Sequence, residues 1–264
     1  MILDKIVEST RLRVQQSYKT ESLELIKKRA FEECEKEKAN DFAFEKALNQ
    51  KPIAFICEVK KASPSKGLIA KNFDYVTIAK EYEKAGAACI SVLTEPEFFL
   101  GSNDYLKEIS QSVNIPIIRK DFVIDEYQIY EAKTIGASAI LLICAILSEE
   151  KIKEYLTIAD RLGMSAVVEA HDEEEVMMAK RCGAGIIGVN NRNLRDFTVD
   201  ITNSIRYRNM VDEDVKFISE SGIKTPDDIK RLVDHHVNAV LIGETLMKSE
   251  DKAGMIKELL SKSV

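Results

Sequence analysis

Short apolar runs alternate with amphipathic segments along most of this chain. The runs cover residues 53–57, 88–93, 115–118, 139–143, 166–168, 186–189, 215–218 and 239–242. Runs of this length, bounded by polar or turn-forming residues, read as buried strands. The segments between them carry helix start signals. Asp172 precedes Glu173, Glu174 and Glu175, which suits a cap and a first turn facing the positive end of the helix dipole. Thr225-Pro226-Asp227-Asp228 sets a cap, a proline at the first helical position and an acidic third residue. Gly86-Ala87, Gly136-Ala137 and Gly183-Ala184 recur at near-regular intervals, each ending a helix and leading into a strand. Each interval holds two strand–helix units. Eight strands alternating with helices predict an α/β fold, a single (β/α)8 TIM barrel over 51–264. A doubly wound open sheet is the alternative, but no Gly-rich dinucleotide fingerprint speaks for it.

Residues 1–50 are more polar and read as helical. Ile2, Leu3, Ile6 and Val7 have helical spacing, and Leu23, Leu25, Ile26 and Ala30 continue it. A third short helix over 41–48 would start at Asp41. The expectation is an N-terminal helical extension packed on the barrel and covering one end of it, with one domain overall for the 264 residues.

Polar groups gather where the predicted strands end. Glu58 and Lys60 follow the first run, two apart and so on one face of a strand. A carboxylate and an ammonium buried together are costly unless paired or used. Thr94-Glu95 follow the second run, Arg119-Lys120-Asp121-Phe122 the third, Glu169 the fifth, Asn190-Asn191-Arg192 the sixth, Glu220-Ser221-Gly222 the seventh and Gly243-Glu244 the eighth. Only the fourth, Leu141-Leu142-Ile143-Cys144, stays apolar, which suits a substrate with an aromatic or hydrocarbon part. One such charge is an ordinary solvated strand end. Six or seven at the same end mark the active face of a barrel. Ser221-Gly222 and Gly243-Glu244 fall where barrels often hold phosphate on backbone N–H groups, although glycine-requiring turns explain them equally well. Glu244 fits beside a phosphate only if its backbone, not its side chain, faces the anion.

Composition narrows the function classes. A net charge of −6 disfavours nonspecific nucleic-acid binding while leaving room for a local basic pocket. Five cysteines without metal-ligand spacing, three of them in apolar runs, read as buried thiols of a cytoplasmic protein. Charged residues follow Met1 at once, so no secretory leader is expected, and no run approaches the roughly 18 apolar residues a membrane span needs. His171, His235 and His236 show no catalytic spacing and read as surface or cap residues.

The string Glu58-Val-Lys-Lys-Ala-Ser-Pro-Ser after an apolar strand resembles the signature of the indole-3-glycerol phosphate synthases. The resemblance extends in order through Ser91-Val-Leu-Thr-Glu95, Lys120-Asp-Phe122, Glu169, Val189-Asn-Asn-Arg192, Ser219-Glu-Ser-Gly-Ile223 and Leu241-Ile-Gly243. It implies ring closure, decarboxylation and dehydration of 1-(2-carboxyphenylamino)-1-deoxyribulose 5-phosphate, with no cofactor and no metal. The implied catalytic set is Glu58, Lys60, Lys120, Glu169, Asn190 and Ser221. Lys120 is the general acid toward the ketone, Glu169 the second acid–base group, and Lys60 a carboxylate binder or proton donor. Glu58 orients the lysines, and Asn190 binds the reacting portion. Ser63, Arg192, Ser221, Gly222 and Gly243 bind the phosphate or line its site. Phe122 and the Leu141–Leu142 region, Leu142 in particular, pack on the aromatic ring. Each lysine is expected to have its pKa lowered by neighbouring cations. The implied partner is the phosphorylated small molecule, without nucleic acid or membrane, and in loose association with other tryptophan-pathway enzymes. Two other readings remain at this point. One is another phosphate-binding barrel enzyme, such as a phosphoribosylanthranilate isomerase. The other is a non-catalytic barrel that binds a phosphorylated metabolite or a protein.

Overall fold

The computed structural model describes residues 2–37, 42–70, 72–193 and 197–263. Eight parallel strands close into a barrel: β1 Ala54–Val59, β2 Cys89–Leu93, β3 Ile117–Lys120, β4 Ala139–Ile143, β5 Ser165–Ala170, β6 Ile186–Asn190, β7 Lys216–Glu220 and β8 Ala239–Ile242. Each pairs with the next in sequence, and β8 returns to β1 through Ala54↔Ala239 to Cys57↔Ile242. A two-stranded hairpin, Ala62–Ser63 with Gly67–Leu68, rises from the loop after β1. No helix among the described residues is long and apolar enough to cross a membrane.

Alternation along the strands divides the core in two. Ala54, Ile56, Cys89, Ile118, Leu141, Ile143, Val167, Ile218 and Leu241 fill the barrel interior. Phe55, Cys57, Ile90, Val92, Leu142, Val168, Ile187 and Val240 belong to the outer cluster shared with the helices. Several strands run beyond the apolar runs that announced them. β1 continues through Glu58, β3 through Lys120 and β7 through Glu220, all with the parity of the interior set. The ladder does not stop where hydrophobicity stops, because the last inward layer of this barrel is polar.

The helix signals hold. Asp172 accepts from the Glu175 N–H at 2.9 Å and caps α8, Glu173–Arg181. Thr225 and Asp228 form a reciprocal capping box that opens α10, Pro226–Asp234. All five cysteines are buried and free.

The N-terminal helices reach both ends of the barrel, not one. α3, Ala43–Ala47, inserts Phe44 into the end where the strands begin, and Leu48 follows it into the same interior cluster. Asp41, expected to start this helix, lies outside the described residues. α1, Ile2–Thr20, lies toward the opposite end. Its Arg13 guanidinium donates to both oxygens of Asp121, at 2.8 and 2.7 Å. α2, Leu23–Glu37, packs on α6, Glu126–Thr134, and the further helices are α4 Tyr75–Lys84, α5 Asn103–Ser110, α7 Glu149–Arg161, α9 Thr202–Arg208 and α12 Lys252–Leu260. Asp121 also accepts from Arg119 at 3.0 Å. Arg119, fully buried, further donates to Thr94, Asn103, Glu131 and the Gln128 carbonyl, so its charge is matched on several sides.

Burial alone would raise the Asp121 carboxyl, but Arg13 and then Arg119 hold it well below the usual carboxylate range. Its contribution to stability is therefore complete above its unfolded value of about 4 and is lost as pH falls toward the folded value. Arg13→Ala removes two charge-assisted bonds while leaving Arg119 in place, and should cost about 2 kcal/mol at neutral pH. Urea unfolding checks this, and the deficit should shrink in acid as Asp121 takes up its proton.

Candidate active site

A cavity of about 690 Å³ opens at the C-terminal end of the strands, within the range of small-molecule sites. It is bordered by Glu58, Lys60, Ser63, Lys120, Phe122, Glu169, Asn190, Arg192, Ser221, Gly222 and Gly243. Leu142 is not among them. Its side chain is fully buried in the outer cluster against the helices, because β4 alternates and the interior parity belongs to Leu141 and Ile143. Those two line the cavity with Leu93, Leu241 and Phe99, whose ring sits 6.0 Å from that of Phe122. Ile2, Leu3 and Ile6 of α1 add an apolar edge at the mouth.

The charged centre is compact. Lys120 Nζ lies 2.6 Å from Glu169 Oε2 and 2.7 Å from Glu220 Oε2. Lys60 Nζ pairs with Glu58 Oε1. Asn190 Nδ2 donates to Glu169 Oε1 at 3.2 Å, and its own Oδ1 accepts from the Arg192 N–H at 3.1 Å. Glu58, Glu169 and Glu220 are buried. Glu220 was absent from the expected catalytic set, although its parity with Ile218 on β7 was a signal that it points inward. A side chain at Gly188 would run into Glu220 Oε1, so glycine on β6 leaves the room this carboxyl occupies.

His171 departs furthest from expectation. It is not on the surface: it sits just before the Asp172 cap, largely enclosed between Glu169 and Glu175. His235 and His236 are exposed at the end of α10, as read from the sequence.

These contacts set the protonation states. Burial alone would lower the Lys120 ammonium, but Glu169 and Glu220 outweigh it and raise its pKa well above the ordinary lysine value. That reverses the expected direction, since its neighbours are carboxylates and not cations. Burial raises Glu220, Glu169 pushes the same way, and Lys120 only partly offsets them, leaving it at about 7. Glu169 is lowered in spite of its burial, because Lys120 and then His171 favour its anion. Glu220 Oε1 has no hydrogen-bond partner among the described residues, whereas Asn190 holds the corresponding oxygen of Glu169. Glu220 is therefore the member of the pair that takes up a proton more readily, titrating at about 7.

The opposite rim suits an anion. Arg192, Lys66 and Lys224 line the cavity with Ser221 and Gly222, which follow β7 with left-handed backbones, φ 67° and 87°. Gly243 precedes α11, Glu244–Met247, and a side chain there would run into Glu58 Oε1 and sit 2.9 Å from Lys60 Nζ. The Glu244 carboxylate lines the cavity too, but Lys248 at 2.7 Å and Lys66 at 3.7 Å offset its charge.

The indole-3-glycerol phosphate synthase family model matches residues 3–259. The chain belongs to the indole-3-glycerol phosphate synthase family. It is 57% identical to the synthase of Ruminiclostridium cellulolyticum over 98% of both chains. It is 53% identical to that of Lachnoclostridium phytofermentans over 99% of both. Among solved structures, thiamine phosphate pyrophosphorylase from Pyrococcus furiosus superposes with a TM-score of 0.60 at 16% identity, over 82% of this chain and 97% of that one. That likeness shows the shared barrel alone. As a synthase of this family the chain is a carboxy-lyase of tryptophan biosynthesis, closing the indole ring with loss of carbon dioxide and water.

Titration of the substrate-free synthase, followed by NMR of carboxyl-labelled glutamate, should show one carboxyl titrating near pH 7. It should vanish in Glu220→Gln. In Lys120→Met it should move to higher pH, because the cation that favours the Glu220 anion is gone.

Proposed function

We propose that the residues around Lys120 perform the three chemical steps of the synthase reaction on 1-(2-carboxyphenylamino)-1-deoxyribulose 5-phosphate. The observation that carries this reading is Lys120 held between two buried carboxylates in a cavity with both an apolar and an anion-suited wall. Lys120 stays protonated and gives its proton to the ketone oxygen as the ring carbon attacks, so that oxygen becomes a hydroxyl. Loss of the carboxylate as carbon dioxide restores the aromatic ring. Glu169, ionised, then takes a proton from the carbon beside the nitrogen while a lysine returns one to the departing hydroxyl, which leaves as water. Lys60, neutralised by Glu58 until substrate arrives, meets the substrate carboxylate. Asn190 steadies Glu169 and the reacting portion.

Phe122, Leu141 and Ile143 would pack on the anthranilate ring, in place of the expected Leu142. Ser63, Arg192, Ser221, Gly222 and Gly243 would receive the phosphate. Five free, buried thiols support a cytoplasmic setting.

The direct test mixes the purified protein with this substrate and follows indole fluorescence. A rapid rise is expected; bound substrate without any rise would overturn the assignment of these residues to the chemistry. Lys120→Ala should cut turnover by roughly 10²–10⁴-fold, the usual scale for a positioned acid–base group. Ser221→Ala should act mainly on KM, since it loses a phosphate contact that is the same in ground and transition state.

A further inference from the structure

One titratable side chain touches the catalytic layer without facing the cavity. His171 follows β5 and precedes α8. Its Nδ1 lies 3.0 Å from Glu175 Oε2, and its backbone N–H donates to the same oxygen at 2.8 Å. Its Nε2 lies 3.2 Å from Glu169 Oε1, within ion-pair distance but not aligned as a hydrogen bond, and has no hydrogen-bond partner among the described residues. The ring therefore joins the first turn of α8 to the carboxylate that pairs with Lys120. We propose that His171 is a positioning residue that, fixed by Glu175, keeps Glu169 ionised and turned toward Lys120.

The argument is one of donors and charge. A neutral imidazole has one N–H for two carboxylates and would leave the other oxygen facing a lone pair. An imidazolium serves both. Burial alone would lower the pKa of this ring, but its contacts to Glu169 and Glu175 raise it to about 10. The charge so fixed sits on the far side of Glu169 from the cavity. Asn190 of β6 holds the same Oε1, while Lys120 of β3 takes Oε2. Glu169 is thus clamped on both oxygens, and Glu220, on the other side of Lys120, is not. The remaining charged and titratable groups around this cluster do not replace His171. Glu58 of β1 is paired to Lys60, and Asp172 is engaged in capping α8. The Cys144 thiol after β4 is held protonated, its pKa pushed up to about 12 by burial and then by Glu175. His171 therefore decides which of the two carboxylates around Lys120 is the base and which keeps the proton.

This inference rests on the proposed role of Glu169, so its test needs a readout that does not depend on catalysis. Removing the imidazolium takes away a positive charge beside Glu169 and raises its pKa, so the ionised form is lost at a higher pH as pH falls. In substrate-free His171→Ala, the Glu169 carboxyl followed by labelled-glutamate NMR should titrate at least about one unit higher than in the parent. Its kcat should fall by about 10- to 100-fold, the scale of a mispositioned reacting group, with KM little changed and the acid limb of kcat moved upward. His171→Gln, which keeps a donor but no charge, should recover part of kcat and none of the limb. Glu175→Gln should bring the His171 ring down from about 10, read directly from its NMR titration. An acid limb and a Glu169 titration that stay in place in His171→Ala and His171→Gln would overturn the proposal, even with kcat reduced. If His171→Ala does not fold, His171→Gln and Glu175→Gln decide: an unmoved Glu169 in the first, or an unmoved imidazole in the second, overturns it. Were Lys120→Ala to keep full activity, the reaction scheme would fall while the Glu169 titration still read the clamp.

Discussion

Closing a parallel sheet into a barrel forces every second side chain into one dry interior, and the chemistry of this protein is confined by that constraint. Most inward positions are apolar, from Ala54 and Ile56 to Val167 and Ile218. Charge is admitted only in the last layer, where partners face one another across the mouth. Three carboxylates, Glu58, Glu169 and Glu220, meet two ammonium groups, Lys60 and Lys120. Fully ionised, that layer would hold one negative charge too many for a low-dielectric site. The excess is relieved where a cation is shared and one oxygen has no partner, which is at Glu220. The protonation pattern is thus a property of the ring of strands and not of any single residue.

The same closure fixes how Lys120 is supported. Its neighbour Arg119 has opposite parity and is buried against the helices, where it binds Asp121 and Glu131. Asp121 is held in turn by Arg13 of α1. Lys120 and Phe122 therefore project into the cavity from a segment clamped behind and beside them. α1 also lays Ile2, Leu3 and Ile6 along the mouth, so the element that braces the Lys120 segment borders the cavity. Losing either partner would leave a buried charge unpaired, so the two arginines and Asp121 hold one another in place.

The strands were legible because each carries a short apolar run, and the barrel followed from their number and alternation. Their ends were less legible. Apolar runs stop before Glu58, Lys120 and Glu220, whereas the hydrogen-bond ladder goes on through them. A run of consecutive apolar residues also hides the phase of the alternation. In Leu141-Leu142-Ile143 all three look alike, and only the closed barrel shows that Leu142 faces outward. Glu220 could have been phased from Ile218. His171 could not, since its importance lies in bringing Glu175 from a helix against Glu169 from a strand. The sign of the Lys120 shift was missed for the same reason: counting cations nearby in sequence says nothing of the carboxylates across the barrel.

That sign bears on the role proposed for Lys120 as the acid. A lysine with a lowered pKa would give up its proton readily, even to weakly basic groups and to water. Lys120, gripped by Glu169 and Glu220, holds its proton tightly in the ground state. It would release it only to an oxygen whose basicity rises sharply, as a ketone oxygen does while carbon attacks the carbonyl. The contacts of Lys120 to Glu169 and Glu220 are made before any reaction, so they stabilise the ground-state ammonium, and the transfer needs an acceptor oxygen whose developing charge outweighs them. Glu220, titrating near neutrality beside it, can accept or return a proton at little cost and so ease recovery of the ammonium. An ionised Glu169 fixed by Asn190 and His171, as proposed, would keep the pair asymmetric and give the proton a direction to move.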